Sequence, residues 1–173
     1  MKNKDNFIIT IFIMTFVLSI AFSSISNVIA ASFNELVLFI IMILVIAIGI
    51  IFDAIGTAGI TAKESTFHSM SSAKVKGAKE TLTLIKSGSK ISSICNDVVG
   101  DVCGIVSGGL GAVLAISLST TLNISNTLIA VILSAFISSL TVGGKAIMKK
   151  IAMKKADSII FAVGKLKHLL RIK

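Results

Sequence analysis

The chain of 173 residues contains no proline, no tryptophan and no tyrosine, and only two cysteines and eight acidic residues. Without proline, long helices meet no obligatory break. Without tryptophan and tyrosine, a membrane-inserted chain lacks the usual aromatic belt at the interfaces, and only phenylalanine and lysine remain to anchor its depth. Cys95 and Cys103 do not have the spacing of zinc ligands, and no nucleophile-base, phosphate-loop or metalloprotease motif occurs. We therefore predict that the protein is not an enzyme.

Apolar residues are abundant instead. They make up 54% of the chain, charged residues make up 14%, and the mean hydropathy is +0.98. Four apolar runs each approach the ~20 residues that a helix needs to cross hydrocarbon, and a chain of this length cannot bury them in a soluble core. The runs are residues 7–30, 36–60, 98–118 and 127–142. The prediction is an all-α, polytopic integral membrane protein with a three-helix core and an N-terminal helix.

The first apolar run has two interpretations. It follows a short basic start, and a polar patch precedes its small-residue end, as in a secretory signal peptide. Residues 1–30 are therefore either an N-terminal transmembrane helix or a signal-like segment that is cleaved. The direction of the other three helices is the same in both cases.

The seventeen lysines and arginines lie before the first run, in the polar segment after the second run, and after residue 142. The two short links between runs carry no basic residue and one acid, Glu35. The positive-inside rule then places the polar segment and both termini in the cytoplasm of a plasma-membrane protein, unless the first segment is cleaved. The net charge of +9 is interpreted as a signal of topology and of contact with anionic lipid headgroups, and not as a nucleic-acid footprint.

Two other segments have amphipathic patterns. Residues 62–93 suit two short cytoplasmic helices along the membrane surface, with breaks at Gly77 and at residues 87–89; an ordinary solvated connector is the alternative. Residues 151–173 form a basic amphipathic tail, whose helix places one apolar stripe at the membrane interface. That stripe consists of Ile159, Val163, Leu166 and Leu170.

Polar groups within the apolar runs are the candidate functional residues. Asp53 lies inside the second run, and Asn96, Asp97 and Asp101 open the third. Ionisable groups at membrane depth are costly and often mark an ion path, and carboxylate and amide oxygens suit hard cations such as magnesium. The alternative for Asp53 is an ion pair with a lysine such as Lys145. For Asp97 and Asp101, the alternative is a pair of carboxylates at the cytoplasmic interface of a packing helix.

Small residues follow one face of the third run at three- and four-residue steps. Three glycines beside this face complete a small-xxx-small pattern, which allows membrane helices to approach closely. The face consists of Asn96, Gly100, Cys103, Ser107 and Gly111, and the glycines are Gly104, Gly108 and Gly109. The pattern predicts close helix packing.

In the order of these features, residues 36–150 resemble the transmembrane domain of the CorB/CorC and CNNM (cyclin M) magnesium transport proteins. The counterparts of the family's elements are a Phe-Asp element at 52–58, two short helices at 63–86, an Asn element at 95–97, and a closing Gly-Gly-Lys element at 142–145. The closing Glu and Pro of the family are missing, and the chain ends before the family's CBS pair.

The resemblance implies that Asn96 is a cation ligand, that Asp53 stands where the family has a ligand serine, and that Gly143 lies near the site. It also implies a homodimer. The predicted function is binding and transport of a divalent cation, magnesium first and cobalt second, without a resident cofactor. The predicted metal residues are Asp53, Asn96, Asp97, Asp101 and Gly143. A non-transporting accessory membrane protein and a holin-like membrane-active protein are the alternatives.

Overall fold

The computed structural model describes residues 2–170, apart from the side chains at positions 2–8, 22, 25–27 and 29–31. Across these residues the chain is helical and contains no strand. The helices are α1 (Lys2–Ser32), α2 (Glu35–Thr61), α3 (Glu64–Ser72), α4 (Ala78–Lys86), α5 (Gly88–Ser92), a π-helix (Ser93–Gly100), α6 (Asp101–Leu122), α7 (Asn126–Lys154) and α8 (Ala156–Leu169). The predicted all-α class is confirmed.

Three stretches of helix in the described part of the chain are long and apolar enough to cross a membrane. They are Glu35–Thr61, Gly88–Leu122 and Asn126–Lys154, with 27, 35 and 29 residues. The second stretch, Gly88–Leu122, begins ten residues before the predicted start at 98, because α5 and the π-helix lead into α6 without a break. Within α1, the apolar stretch Ile9–Ala21 is shorter than these three.

The helix boundaries have local causes. Asn123 follows α6 with φ 55°, in the left-handed region that asparagine tolerates better than most residues, and it ends the helix. Gly77, with φ 87°, precedes α4, and a Cβ atom there would lie 2.9 Å from the Cα of Lys165. Ser87 separates α4 from α5. The predicted break at Gly77 is thus confirmed, as are the short helices on either side of it, whereas the predicted break at 87–89 is confined to Ser87, because Gly88 and Ser89 already belong to α5.

The chain divides into two compact units. The first unit comprises Met1–Ile50 and Val98–Gly144. Its core is an apolar cluster that joins α2, α6 and α7, and the hydroxyl-bearing Ser107 of α6 is buried as well. The buried members are Leu38, Met42, Ile46, Val102, Val106, Leu110, Leu114 and Ile137. Because lipid is as apolar as these side chains, close packing and not removal from water holds such helices together.

The inward face of α6 differs in part from the predicted one. Gly111 packs against Ile137 and lies near Met42, as a small residue at a helix contact should. A Cβ atom at Gly104, Gly108 or Gly109 would meet no described atom within 4 Å. The predicted face itself turns inward, since Ser107 and Gly111 are buried, but the three glycines beside it make no close contact with a described residue.

The second unit comprises Ile51–Asp97 and Lys145–Lys173. Its core contains Phe67, Leu82 and Ile160, and the Phe67 ring packs against that of Phe161 with the centroids 5.8 Å apart. Helix α4 packs against both α3 and α8. Gly164 permits the α4–α8 contact, since a side chain there would strike Thr81.

The amphipathic helix of the tail begins at Ala156, after α7 has ended at Lys154. Its buried residues are Ala156, Ile160 and Gly164. The predicted apolar stripe is a different one: Leu166 and Leu170 are exposed, and Ile159 and Val163 are half-buried. The protein thus uses the small residues of α8 for packing and leaves a large apolar stripe partly or fully exposed.

Candidate cation site in the second unit

Asp53 lies in the part of α2 that belongs to the second unit, where small residues bring other helices close. Its side chain is buried, and Asp53 as a whole retains 2% of its accessible surface. It lies eight residues before the end of α2, which corresponds to about 12 Å along the helix axis. The hydroxyl of Thr57 donates to the backbone carbonyl of Asp53 at 2.9 Å, so it does not serve the carboxylate.

Asn96 lies in the π-helix, and its side chain meets the same turn of α2. Its amide oxygen packs against Gly56, where any side chain would collide with it. The Nδ2 atom of Asn96 donates to Oγ of Ser92 at 3.3 Å. Such π-helical turns are rare and often occur at functional sites, where they alter the register of the side chains. Here the π-helix presents an amide oxygen to the turn that begins at Asp53.

Lys149 completes this cluster. Its Nζ atom lies 3.6 Å from Oδ2 of Asp53, and 48% of its side chain is exposed. The distance is that of an ion pair and is too long for a good hydrogen bond. The carboxylate is therefore neutralised by a partly hydrated ammonium group, which is the interaction that the sequence offered as the alternative for Asp53, with Lys149 in place of Lys145.

Two side-chain oxygens of this cluster are buried without a hydrogen-bond donor among the described residues. They are Oδ2 of Asp53 and Oδ1 of Asn96. Buried acceptors normally have a partner, because an unsatisfied polar group loses ~1–3 kcal/mol of hydration free energy that nothing replaces. Both atoms are hard oxygen donors of the kind that magnesium and calcium bind. The cluster is therefore chemically able to accept a cation.

The other predicted metal residues lie elsewhere. Asp97 is exposed in the second unit, although its neighbour Asn96 is half-buried. Asp101 and Gly143 belong to the first unit, where Asp101 is exposed and Gly143 is half-buried. No cluster of three or more His, Cys, Asp or Glu side chains that could hold a metal occurs within residues 2–170. Of the five predicted residues, Asp53 and Asn96 are associated with one stretch of α2, because the Asn96 side chain packs against Gly56, three residues after Asp53.

Sequence reasoning missed Lys149 and the π-helix. A signal for Lys149 existed, because Lys145 and Lys149 are one helical turn apart and share a face of α7. Which of the two lysines reaches Asp53 depends on how the end of α7 packs along α2, and the local sequence does not indicate this. For the π-helix the sequence offers no comparable signal, since its residues also suit an ordinary α-helix.

The carboxylate of Glu35, in the first unit, illustrates the opposite arrangement. The hydroxyls of Ser117 and Thr121 both donate to its Oε1 atom at 2.8 Å. A carboxylate that already receives two short hydrogen bonds has less reason to bind an ion. Glu35 therefore joins α2 to α6 and is not a candidate site.

A basic cavity occurs where α7 gives way to α8. It has a volume of about 290 Å³ and is open to solvent. Lys63, Lys154 and Lys155 contribute to its lining, together with Asp157. The Asp157 carboxylate is already engaged, since it accepts a hydrogen bond from the Lys63 amide at 2.9 Å. The lysines thus give this part of the second unit a positive surface.

Comparisons of the chain with protein-family models, with curated proteins and with solved structures find no match. The functional interpretation consequently rests on the geometry of the cluster around Asp53.

Proposed function

We propose that the protein is a multi-pass membrane protein that binds a divalent cation at Asp53 and Asn96 and carries it across the bilayer, with magnesium as the first candidate and cobalt as the second. One observation carries this proposal: Oδ2 of Asp53 and Oδ1 of Asn96 are both buried, and neither receives a hydrogen bond from the described residues. A cation between the two oxygens would satisfy both.

The composition of the cluster favours magnesium over softer metals. One carboxylate and one amide oxygen are few ligands for a calcium ion, which takes six to eight oxygens. Magnesium keeps several of its waters and commonly binds through one or two carboxylates. Cys95 is buried nearby, but a single thiol does not make a site for a soft metal. In this proposal, Asp53 supplies the charge and Asn96 supplies a neutral oxygen, while water completes the shell.

The proposal includes an orientation. Asp53 and Asn96 both belong to the second unit, where six lysines lie between Lys63 and Lys90. The positive-inside rule would place this lysine-rich segment, and with it the nearer end of the site, on the cytoplasmic side of the plasma membrane. The basic cavity and the exposed leucines of α8 would contact anionic headgroups. A homodimer of the CorB/CorC and CNNM kind remains part of the proposal.

A second function is favoured by a specific contact. The ion pair between Lys149 and Asp53 would by itself hold the end of α7 against α2, as an accessory or structural membrane protein requires. In that case Asp53 needs no metal, and its replacement would change stability without changing any affinity for ions.

Magnesium binding to the purified protein in detergent, measured by titration calorimetry, separates the two functions. We expect saturable binding to the parent protein and its loss in Asp53→Asn and Asn96→Ala variants. Asp157→Asn is the matched control, because it removes a carboxylate of the same unit whose hydrogen bonds the structure accounts for. Absence of binding in the folded parent protein would contradict the proposal and favour the accessory role.

Transport requires a separate measurement. Protein reconstituted into vesicles that enclose a magnesium-sensitive dye should admit magnesium, and Asp53→Asn should abolish the signal. A small neutral dye trapped in the same vesicles should stay inside. Release of that dye by the parent and the variant alike would instead indicate the holin-like alternative.

A further inference from the structure

The candidate site contains a positive charge of its own. Lys149 lies five residues before the end of α7, and its ammonium group is 3.6 Å from the Asp53 oxygen that lacks a hydrogen bond. Ala152, one turn further along α7, is fully buried. The face of α7 that carries Lys149 is therefore turned towards the interior of the second unit, although the end of the lysine side chain stays partly hydrated.

The geometry of this ion pair suits exchange better than permanent attachment. A lysine ammonium is a hydrated point charge on a flexible stem of four carbons, and this one is too far from Oδ2 for a strong hydrogen bond. Because 48% of its side chain is already exposed, it needs only a change of rotamer to return to water. Asp53, with 2% of its surface exposed, has no such freedom. Of the two partners, the lysine is the one that can leave.

We propose that Lys149 determines the affinity of the site, because its ammonium group competes with the incoming cation for Oδ2 of Asp53. This inference rests on the proposed cation site. A divalent ion and an ammonium group cannot both occupy the side of the carboxylate that faces Lys149, so binding of the metal releases the lysine. The site then holds a cation at all times, either the protein's own or a bound one, and the buried carboxylate is never left unpaired.

The size of the effect follows from the fraction of time for which the carboxylate is free. If Lys149 occupies Oδ2 nine-tenths of the time, the apparent dissociation constant is about tenfold higher than that of the unobstructed site. Removal of the ammonium group should lower the dissociation constant by the same factor. Exchange of lysine for arginine should raise it, since a guanidinium group binds a carboxylate through two donors and is less readily hydrated.

The test is magnesium titration of the parent protein and of three lysine variants in detergent. We expect Lys149→Met to bind about tenfold more tightly and Lys149→Arg more weakly than the parent. Lys150→Met, which removes the neighbouring exposed charge of the same helix, should change the constant less than twofold. If Lys149→Met and Lys150→Met lowered the dissociation constant for magnesium equally, the inference would be overturned, because the effect would then come from the general positive charge of the helix.

The failure of this inference differs from the failure of the proposed function. If Asp53→Asn abolishes binding but Lys149→Met binds like the parent, the cation site stands and the competition is wrong. If neither the parent nor Lys149→Met binds magnesium, the proposed cation site and the competition by Lys149 are both wrong. Should Lys149→Met not fold, Lys149→Arg decides: weaker binding supports the competition, and unchanged or tighter binding overturns it.

Discussion

The two compact units differ in the partners that they provide for a carboxylate of helix α2. In the first unit, Glu35 receives hydrogen bonds from the hydroxyls of Ser117 and Thr121. In the second unit, Asp53 is more deeply buried, yet its Oδ2 atom receives no hydrogen bond and lies 3.6 Å from the Lys149 ammonium. Glu35 is thus satisfied by fixed neutral donors, whereas Asp53 depends on a mobile cation.

This difference indicates where chemistry can occur. The two hydroxyl donors are neutral side chains of α6, so their hydrogen bonds to Glu35 join two helices without placing a cation at the carboxylate. An ammonium group on a long side chain can be exchanged for another cation at little structural cost. The buried polar residues differ in the same sense, since the first unit buries the neutral Ser107, while the second unit buries the carboxylate of Asp53 besides Thr57 and Thr81.

The largest effect on stability should come from removal of the charge that pairs with Asp53. Lys149→Met leaves a buried carboxylate, and loss of one partner of a fully buried pair costs ~3–5 kcal/mol. Because Lys149 is half exposed, we expect a loss near the lower end of this range. The comparison variant in the first unit, Glu35→Gln, should lose much less, since the amide oxygen can still accept from the two hydroxyls.

The measurement is the free energy of unfolding in mixed detergent micelles. The double variant Asp53→Asn/Lys149→Met should recover most of the loss, because it removes both charges together. If Glu35→Gln were the more destabilising change, the contrast between the two carboxylates would be wrong.

The next effect concerns close helix contacts. A Cβ atom at Gly88 would lie 2.5 Å from the carbonyl oxygen of Gly59, a backbone atom that cannot move aside alone. Gly88→Ala should therefore destabilise the second unit by ~1–3 kcal/mol. Gly108→Ala in the first unit meets no described atom within 4 Å, and alanine favours helix by up to ~1 kcal/mol over glycine. The measurement is thermal unfolding of both variants in the same detergent.

We expect opposite signs for the two glycine variants. A destabilising effect of Gly108→Ala would show that the open glycine face of α6 packs against something other than this chain. An unfolding temperature of Gly88→Ala equal to that of the parent would contradict the close contact at Gly59.

The fold was more predictable than the site, for a physical reason. Apolar runs of helical length dictate spanning helices because lipid allows hardly any other backbone arrangement, so the spans containing Leu38 and Ile137 followed from hydropathy alone. The breaks at Gly77 and Ser87 followed from residues that end helices. The predicted small-residue face of α6 does turn inward at Ser107 and Gly111, but the close packing expected of Gly104, Gly108 and Gly109 did not follow, because in lipid an apolar stripe can pack as well as a small-residue stripe.

The candidate site was predictable only in its polar residues. Asp53 and Asn96 attract attention because polar groups in an apolar run are expensive. The contact of Asn96 with Gly56, three residues after Asp53, involves the π-helix, which shifts side chains by a fraction of a turn and has no distinct composition. Lys149 is one of several lysines near the end of α7, and only tertiary packing distinguishes it from Lys145 and Lys150.

A smaller effect concerns the way each unit caps a helix. In the first unit, Asn34 caps α2 locally, and its side-chain oxygen accepts from the Val37 amide at 3.1 Å. In the second unit, α3 takes its acceptor from the distant Asp157, which accepts from the Lys63 amide at 2.9 Å. Asp157→Ala and Asn34→Ala should each cost ~1 kcal/mol, a typical value for a lost cap.

The two variants should differ in how many helices show faster hydrogen exchange. Hydrogen exchange should accelerate only at the start of α2 in Asn34→Ala. In Asp157→Ala it should accelerate in both α3 and α8, because the lost contact joins these two helices. Faster exchange confined to α3 would show that Asp157 is a cap only and does not hold α8.

The smallest effect is a pH dependence of hydrogen exchange in α4 and α8 of the second unit. The Nδ1 atom of His168 lies 2.8 Å from Oε1 of Glu80, and this hydrogen bond is the main reason why the pKa of Glu80 is lowered. A carboxyl group whose pKa is lower in the folded state stabilises that state fully above its unfolded pKa of about 4.3, and this contribution disappears as the pH falls through the folded pKa.

Hydrogen exchange in α4 and α8 should therefore accelerate below about pH 4. Because the Glu80 side chain is only partly buried, water screens the interaction and the change should be slight. In Glu80→Gln the same helices should exchange faster at neutral pH and lose this acid dependence, and an unchanged acid dependence in the variant would assign it to another group.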